Sequence, residues 1–220
     1  MRRRLLFLVP CVVSLAATLG GCSGDDDAAP DLAAVTGVPA AWIADTGAGW
    51  PESAGFGGAI PVLGSGTCLL GDEPPEILGE RGRFTDQGFG GFGADRSATD
   101  QYRYLCELWD EDEYAGSLQL MRVADDATGR QLMATFDAQT STSQQDNTVT
   151  HETSGQVSVS VLARTYPTNP DNGEYIAQYY DASGGAVVTL EINSLDAEQR
   201  DELSAQQAAD ALVAAMAEGA

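Results

Sequence analysis

The side chains able to do chemistry are few in kind. His151 is the only histidine. A serine-hydrolase triad needs its imidazole between a nucleophile and a carboxylate. No G-x-S-x-G elbow occurs, and His151 stands in a polar stretch between Thr150 and Glu152. Paired carboxylates could drive glycoside hydrolysis, but 33 acidic residues make any one pair meaningless before folding. Asp110-Glu111-Asp112-Glu113 and Asp125-Asp126 could meet Ca²⁺, yet neither follows EF-hand spacing, and charge runs in turns are usually solvated. Gly88 to Gly93 matches G-x-G-x-x-G without a preceding apolar strand or a following helix, so it reads as a glycine-rich loop and not a dinucleotide site. Trp50, Trp109, Tyr179 and Tyr180 could form a glycan platform, although aromatics on strands usually serve the core. No catalytic residue, metal ligand or cofactor is implied.

Cysteine is more informative. Met1-Arg2-Arg3-Arg4 is a basic n-region, and Leu5 to Leu19 is a mostly apolar stretch too short to span a bilayer. It ends in Leu19-Gly20-Gly21-Cys22: a branched apolar residue, two small ones, then a thiol able to receive a diacylglycerol. The acidic stretch Ser23 to Asp27 follows at once. This layout resembles the secreted lipoproteins of actinobacteria, with the match confined to Leu19 to Cys22. The resemblance implies cleavage before Cys22, a lipid on Cys22, and a place on the extracytoplasmic face of the cell membrane. The organisation expected is a signal peptide over 1–21, a lipidated acidic tether over 22–34 and one domain over 35–220. Cys11 leaves with the signal peptide. Cys68 and Cys106 remain, an even pair in an oxidising compartment, and are expected to form a disulfide.

Charge narrows the partners. The chain carries 11 basic and 33 acidic residues, a net −22. Every acidic residue follows Cys22 and three arginines precede it, so cleavage leaves a net −25. Such a field repels nucleic acid and anionic surfaces. A basic partner, or a divalent cation bridging to an acidic one, is favoured. The expected function is a non-catalytic binding or accessory domain of the cell envelope. The alternatives are a carboxylate-based cell-wall hydrolase and a carrier of an apolar ligand.

These residues must be positioned by a fold. Thr36 to Ala44 predicts a short helix around Trp42, and Gly47 to Gly66 a loop. A short strand is expected around Thr67-Cys68-Leu69-Leu70, then a long loop from Gly71 to Asp100. Tyr102 to Trp109 and Ser117 to Val123 read as strands. Thr128 to Gln131 has capping-box spacing, with Leu132, Met133 and Phe136 following at helical intervals. Thr140 to Gly155 reads as a polar loop. Val157, Val159 and Val161 alternate with serines, as a half-buried strand does. Asn169 to Gly173 reads as a turn, Glu174 to Asp181 as a strand, Gly184-Gly185 as a hairpin turn and Ala186 to Ile192 as the last strand. Ser204 to Gln207 repeats the cap before a C-terminal helix.

The predicted class is therefore α+β: a mostly antiparallel sheet of about six strands with two helices on one face. The order suggests two βββα units. Tyr102–Asp110 aligns without gaps to Gly173–Asp181, pairing Tyr104 with Tyr175 and Trp109 with Tyr180.

Overall fold

A computed structural model describes residues 30–50, 67–71, 73–75, 83–91, 101–110, 113–193 and 203–220. The signal segment, Cys22 and the tether up to residue 29 lie outside them, as do 51–66 and most of the predicted 71–100 loop. The described chain is α+β, as expected. Seven antiparallel strands are β1 (Arg83–Gly91), β2 (Tyr102–Asp110), β3 (Glu113–Arg122), β4 (Asp146–Ser154), β5 (Val157–Tyr166), β6 (Asn169–Asp181) and β7 (Ala186–Ile192). Their order across the sheet is β1-β2-β3-β7-β6-β5-β4. The helices are α1 (Ala40–Gly49), α2 (Asp126–Asp137) and α3 (Ala205–Glu218).

The β2–β3 and β6–β7 pairs follow the expected repeat, but the first unit opens on β1 and not on Thr67–Leu70, and the second half carries a fourth strand, β4. The two inner strands, β3 and β7, are antiparallel neighbours at the centre. The pairs Tyr104–Leu120, Cys106–Leu118 and Leu108–Gly116 of the first half have as counterparts Tyr175–Ile192, Ala177–Leu190 and Tyr179–Val188. A pseudo-twofold through the Leu118–Leu190 pair relates them. The one-residue slip between the third strands is a net of two features: the β6–β7 connection is two residues longer than the β2–β3 connection, and a bulge in β3, where pairing shifts between Leu108 and Trp109, takes back one.

One face of the sheet is the main core. Tyr104, Cys106, Leu118, Leu120, Val159, Val161, Ala177, Val188, Leu190 and Ile192 alternate inward along their strands and are fully buried. Alternation places successive residues on opposite faces. α3 closes this side with Ala208, Ala211, Leu212, Val213 and Met216. α1 closes it over β1 and β2: Trp50 stacks on Tyr102 with centroids 5.1 Å apart, and the Thr46 hydroxyl meets the Tyr102 phenol at 2.9 Å. Cys68 and Cys106 are joined, with Cα atoms 5.8 Å apart, so the expected disulfide ties residues 67–71 to the core.

Several expectations need correction. α1 and α3 share a face, but α2, expected beside α3, packs on the opposite one. Tyr175 donates its phenol to the Leu203 carbonyl at the start of α3, whereas Tyr180, facing the other way, donates to Asp126 of α2 at 3.1 Å. Gly129 is what lets α2 approach, since a Cβ there would stand 2.3 Å from the Tyr180 ring. The first cap also moves. Asp125, not Thr128, caps α2, accepting from the Thr128 N–H at 2.7 Å, while Ser204 and Gln207 form the capping box predicted for α3. The polar loop after Thr140 contains edge strand β4, and the glycine-rich stretch is partly strand β1. Thr67 contributes a single bridge to Thr85 in place of a strand. The turn expected at Asn169–Gly173 lies at Pro167-Thr168, and Asn169 already begins β6.

Candidate functional site

The second face of the sheet is unevenly covered. α2 packs over β5 and β6 there, burying Leu162 and Phe136, both outside the main core cluster. No described helix covers β1 to β3 on this side. Leu105, Glu107, Trp109, Tyr114, Gln119 and Met121 stay part-exposed. The pseudo-twofold makes the contrast plain: Tyr180 lies under α2, and its counterpart Trp109 does not.

Trp109 sits at one corner of this open area, where the β2–β3 hairpin ends. Its indole N–H donates to Glu107 Oε2 at 3.0 Å, and its ring meets Tyr114 edge-on with centroids 5.9 Å apart. Cross-strand register then runs Glu107–Ser117–Glu191 over β2, β3 and β7. Ser117 reaches Glu191 Oε2 at 3.4 Å, Asn193 donates to Glu191 Oε1 at 2.7 Å, and Gln119 donates to Ser117 at 3.0 Å. The two carboxylates are thus anchored, on Cα atoms about 10 Å apart given the spacing of neighbouring strands. Burial raises the Tyr114 phenol above its ordinary value, and the charge of Glu191, then Glu107 and Glu174, adds to it, against a hydrogen bond with Ser117. Glu174 forms a part-buried pair with Arg164 and accepts from the Tyr166 hydroxyl at 3.1 Å.

At the other end of the sheet lies a pocket of about 450 Å³, between Pro30–Pro39, the β6–β7 turn and the end of α3. Asp31 and Asp181 are its charged lining residues, and the charge of Asp181 is spent internally. Asp181 Oδ2 accepts from the Val38 N–H at 3.0 Å, and Oδ1 accepts from the Ser183 N–H and hydroxyl at 2.8 and 2.6 Å and the Gly184 N–H at 3.0 Å. Burial pushes its carboxyl up, but these donors outweigh burial and hold it below the ordinary carboxylate value. Asp181 therefore stabilises the fold above the unfolded-state pKa, and that contribution is lost as pH falls below about 4 through the lowered folded value. Asp181→Asn should cost about 2–3 kcal/mol, as expected for lost bonds to a charged acceptor, and should flatten acid denaturation in this range. Urea titrations at pH 7 and pH 3 check both: an unchanged midpoint at pH 7 would contradict the assignment.

The other residues singled out in the sequence are dispersed. His151 is exposed, and its Nδ1 lies 3.2 Å from the Ser160 hydroxyl. Trp50 is in the core, Tyr179 packs against it and Tyr180 lies under α2, so the four aromatics form no common platform. Phe89, in the glycine-rich stretch, is buried against Tyr104 with centroids 4.7 Å apart. Asp125 and Asp126 begin α2, which explains their pairing without a cation. Glu111 and Asp112 lie outside the described residues. Among those described, no group of three or more His, Cys, Asp or Glu could hold a metal ion, and no helix is long and apolar enough to cross a membrane. No family model, no curated protein and no solved structure matches the chain.

Proposed function

We propose that the protein is an extracytoplasmic binding domain, lipidated on Cys22 and held at the membrane by its N-terminal tether, that displays the open sheet face to an envelope partner. The observation that carries this reading is the polarity of the sheet. Pro30 to Pro39 run past the β4–β5 and β6–β7 turns, since Gly155 closes on Leu32 and Gly37 on Asp181. Trp109, Tyr114 and Glu191 lie at the opposite end. Six residue steps along β7 separate the two ends, roughly 20 Å at a strand's rise per residue. A domain tied at its N-terminal side thus holds its aromatic and acidic corner away from the anchor.

The open face argues for binding over hydrolysis. Glycosidases hold two carboxyl groups about 5–10 Å apart across a bond that is gripped and distorted. Glu107 and Glu191 stand part-exposed on a pleated face that no helix covers among the described residues, each already hydrogen-bonded to a neighbouring side chain. Incubation of the purified protein with peptidoglycan is expected to release no soluble fragments. Release that disappears in Glu107→Gln or Glu191→Gln would overturn the reading in favour of the hydrolase. The anchor is tested separately. Cys22→Ala should abolish acyl labelling and leave an unprocessed precursor, and normal processing with membrane retention would contradict lipidation.

A further inference from the structure

The open face leaves the chemistry of its occupant to be read from its corner. Trp109 and Tyr114 offer aromatic rings, whose faces attract cations. Glu107 and Glu191 flank Ser117 on the same face. Asp110 and Glu113, both exposed, pair at the hairpin end next to Trp109 and Tyr114 in their strands. Arg83, exposed opposite Trp109 on β1, offsets only part of this charge. Side chains that could donate or accept sideways, Gln119 and Asn193, border the carboxylates.

An acidic or nucleic-acid partner would meet repulsion at this corner. A purely apolar partner would strip water from two carboxylates without replacing it, which is costly. A guanidinium or ammonium group satisfies both features at once: it can lie over a ring and donate to a carboxylate. The neighbouring half of this face shows that a covering element fits, because α2 occupies the position related by the pseudo-twofold. Resting on the binding-domain reading above, we propose that the corner formed by Trp109, Tyr114, Glu107 and Glu191 is the docking site for a basic protein segment, whose Arg or Lys side chains lie on the rings and pair with the two carboxylates.

The test must separate a built site from the attraction of a net −22 chain for any polycation. The full-length chain in detergent micelles is titrated with a fluorescent nona-arginine peptide at about 0.15 M salt. Trp109→Ala and the double variant Glu107→Gln/Glu191→Gln should each weaken binding about tenfold or more, the scale of a buried aromatic or charged anchor. The control Asp137→Asn/Asp146→Asn removes the same charge from exposed positions on α2 and edge strand β4, and should change affinity by less than about twofold, as expected for distant screened charges. Gln119→Arg adds a repelling charge to a part-exposed position without cutting into the core, and should weaken binding as well. Thermal melts matching the parent chain confirm that each variant folds.

Equal losses in the site and control pairs would overturn the proposal, leaving only the general field. Binding unchanged by Trp109→Ala and Gln119→Arg would overturn it too. If a neutral chito-oligosaccharide is bound instead, and is lost with Trp109→Ala but not with the carboxylate double variant, the site is a sugar platform and the basic-segment proposal fails. In that case the binding-domain reading stands, whereas fragment release from peptidoglycan would remove both.

Discussion

Reducing the Cys68–Cys106 bond, or replacing both cysteines by alanine, should remove about 4 kcal/mol of stability, the loop-closure value for a sequence separation of 38. Against a typical total of about 5–15 kcal/mol, that is a large share. The local reasons agree. Both cysteines are buried, and the bond pins a short segment with few other ties among the described residues. Leu69 donates its N–H to the Tyr104 phenol at 3.1 Å, Leu70 buries its side chain, and Thr67 bridges to β1. Release of the bond should therefore loosen residues 67–71 first and expose the Tyr104 and Phe89 rings. Urea titrations with and without reductant measure the loss. A midpoint indifferent to reductant would mean that the bond is not closing this loop in solution.

Gly116→Ala should be comparably damaging for a different reason. Gly116 adopts φ +150°, and a Cβ placed there would stand 1.9 Å from the Glu191 carbonyl oxygen. That carbonyl belongs to β7, so the clash falls on the seam joining the two halves of the sheet. The backbones must part where Gly116 pairs with Ile192, and Leu118 and Leu190 next to it are fully buried. The cost should be on the order of 4 kcal/mol, the upper range for single substitutions. Gly71→Ala supplies the comparison: φ there is +107° with nothing within 4 Å of an added Cβ, so it carries only conformational strain, about 1–2 kcal/mol. Paired melts of the two variants isolate the steric part. Equal losses would show that β3 and β7 do not approach as described.

Much of the sheet was legible because its strands alternate cleanly. Val157, Val159 and Val161, and the aromatic-rich Tyr102–Trp109, bury one side, and that period survives any tertiary detail. The repeat was legible for the same reason, since Tyr104 and Tyr175 both face the core and Trp109 and Tyr180 both face away. β4 was missed because it is an edge strand bonded only to β5, with Thr, His, Glu and Asn along it. Polar edges are how sheets avoid unwanted pairing, and they carry no apolar signature. β1 was missed because its glycines read as loop, although Phe84 and Phe89 are buried and a bulge shifts its register between Asp86 and Gly88.

The face chosen by α2 was not legible at all. Its buried residues are Gly129 and Phe136, and the decisive one is a glycine, whose role appears only beside Tyr180. The misplaced cap has a similar origin: Asp125 and Thr128 are both competent caps three residues apart, and the bond from the Thr128 N–H selects the aspartate. The site needed register as well as pattern. Glu107 and Trp109 share a strand face by simple alternation, but Glu191 lies 82 residues beyond Trp109 in sequence and joins them only through the β3–β7 pairing.

The central claim is that the open face, and not the α2 side, meets the partner. A photoreactive amino acid placed at Gln119, on the open face, and separately at Arg130, exposed on α2, tests it in intact cells. Brief illumination should give a discrete, salt-sensitive crosslinked species from position 119 and none from position 130. Crosslinking of equal strength from both positions, or from 130 alone, would contradict it.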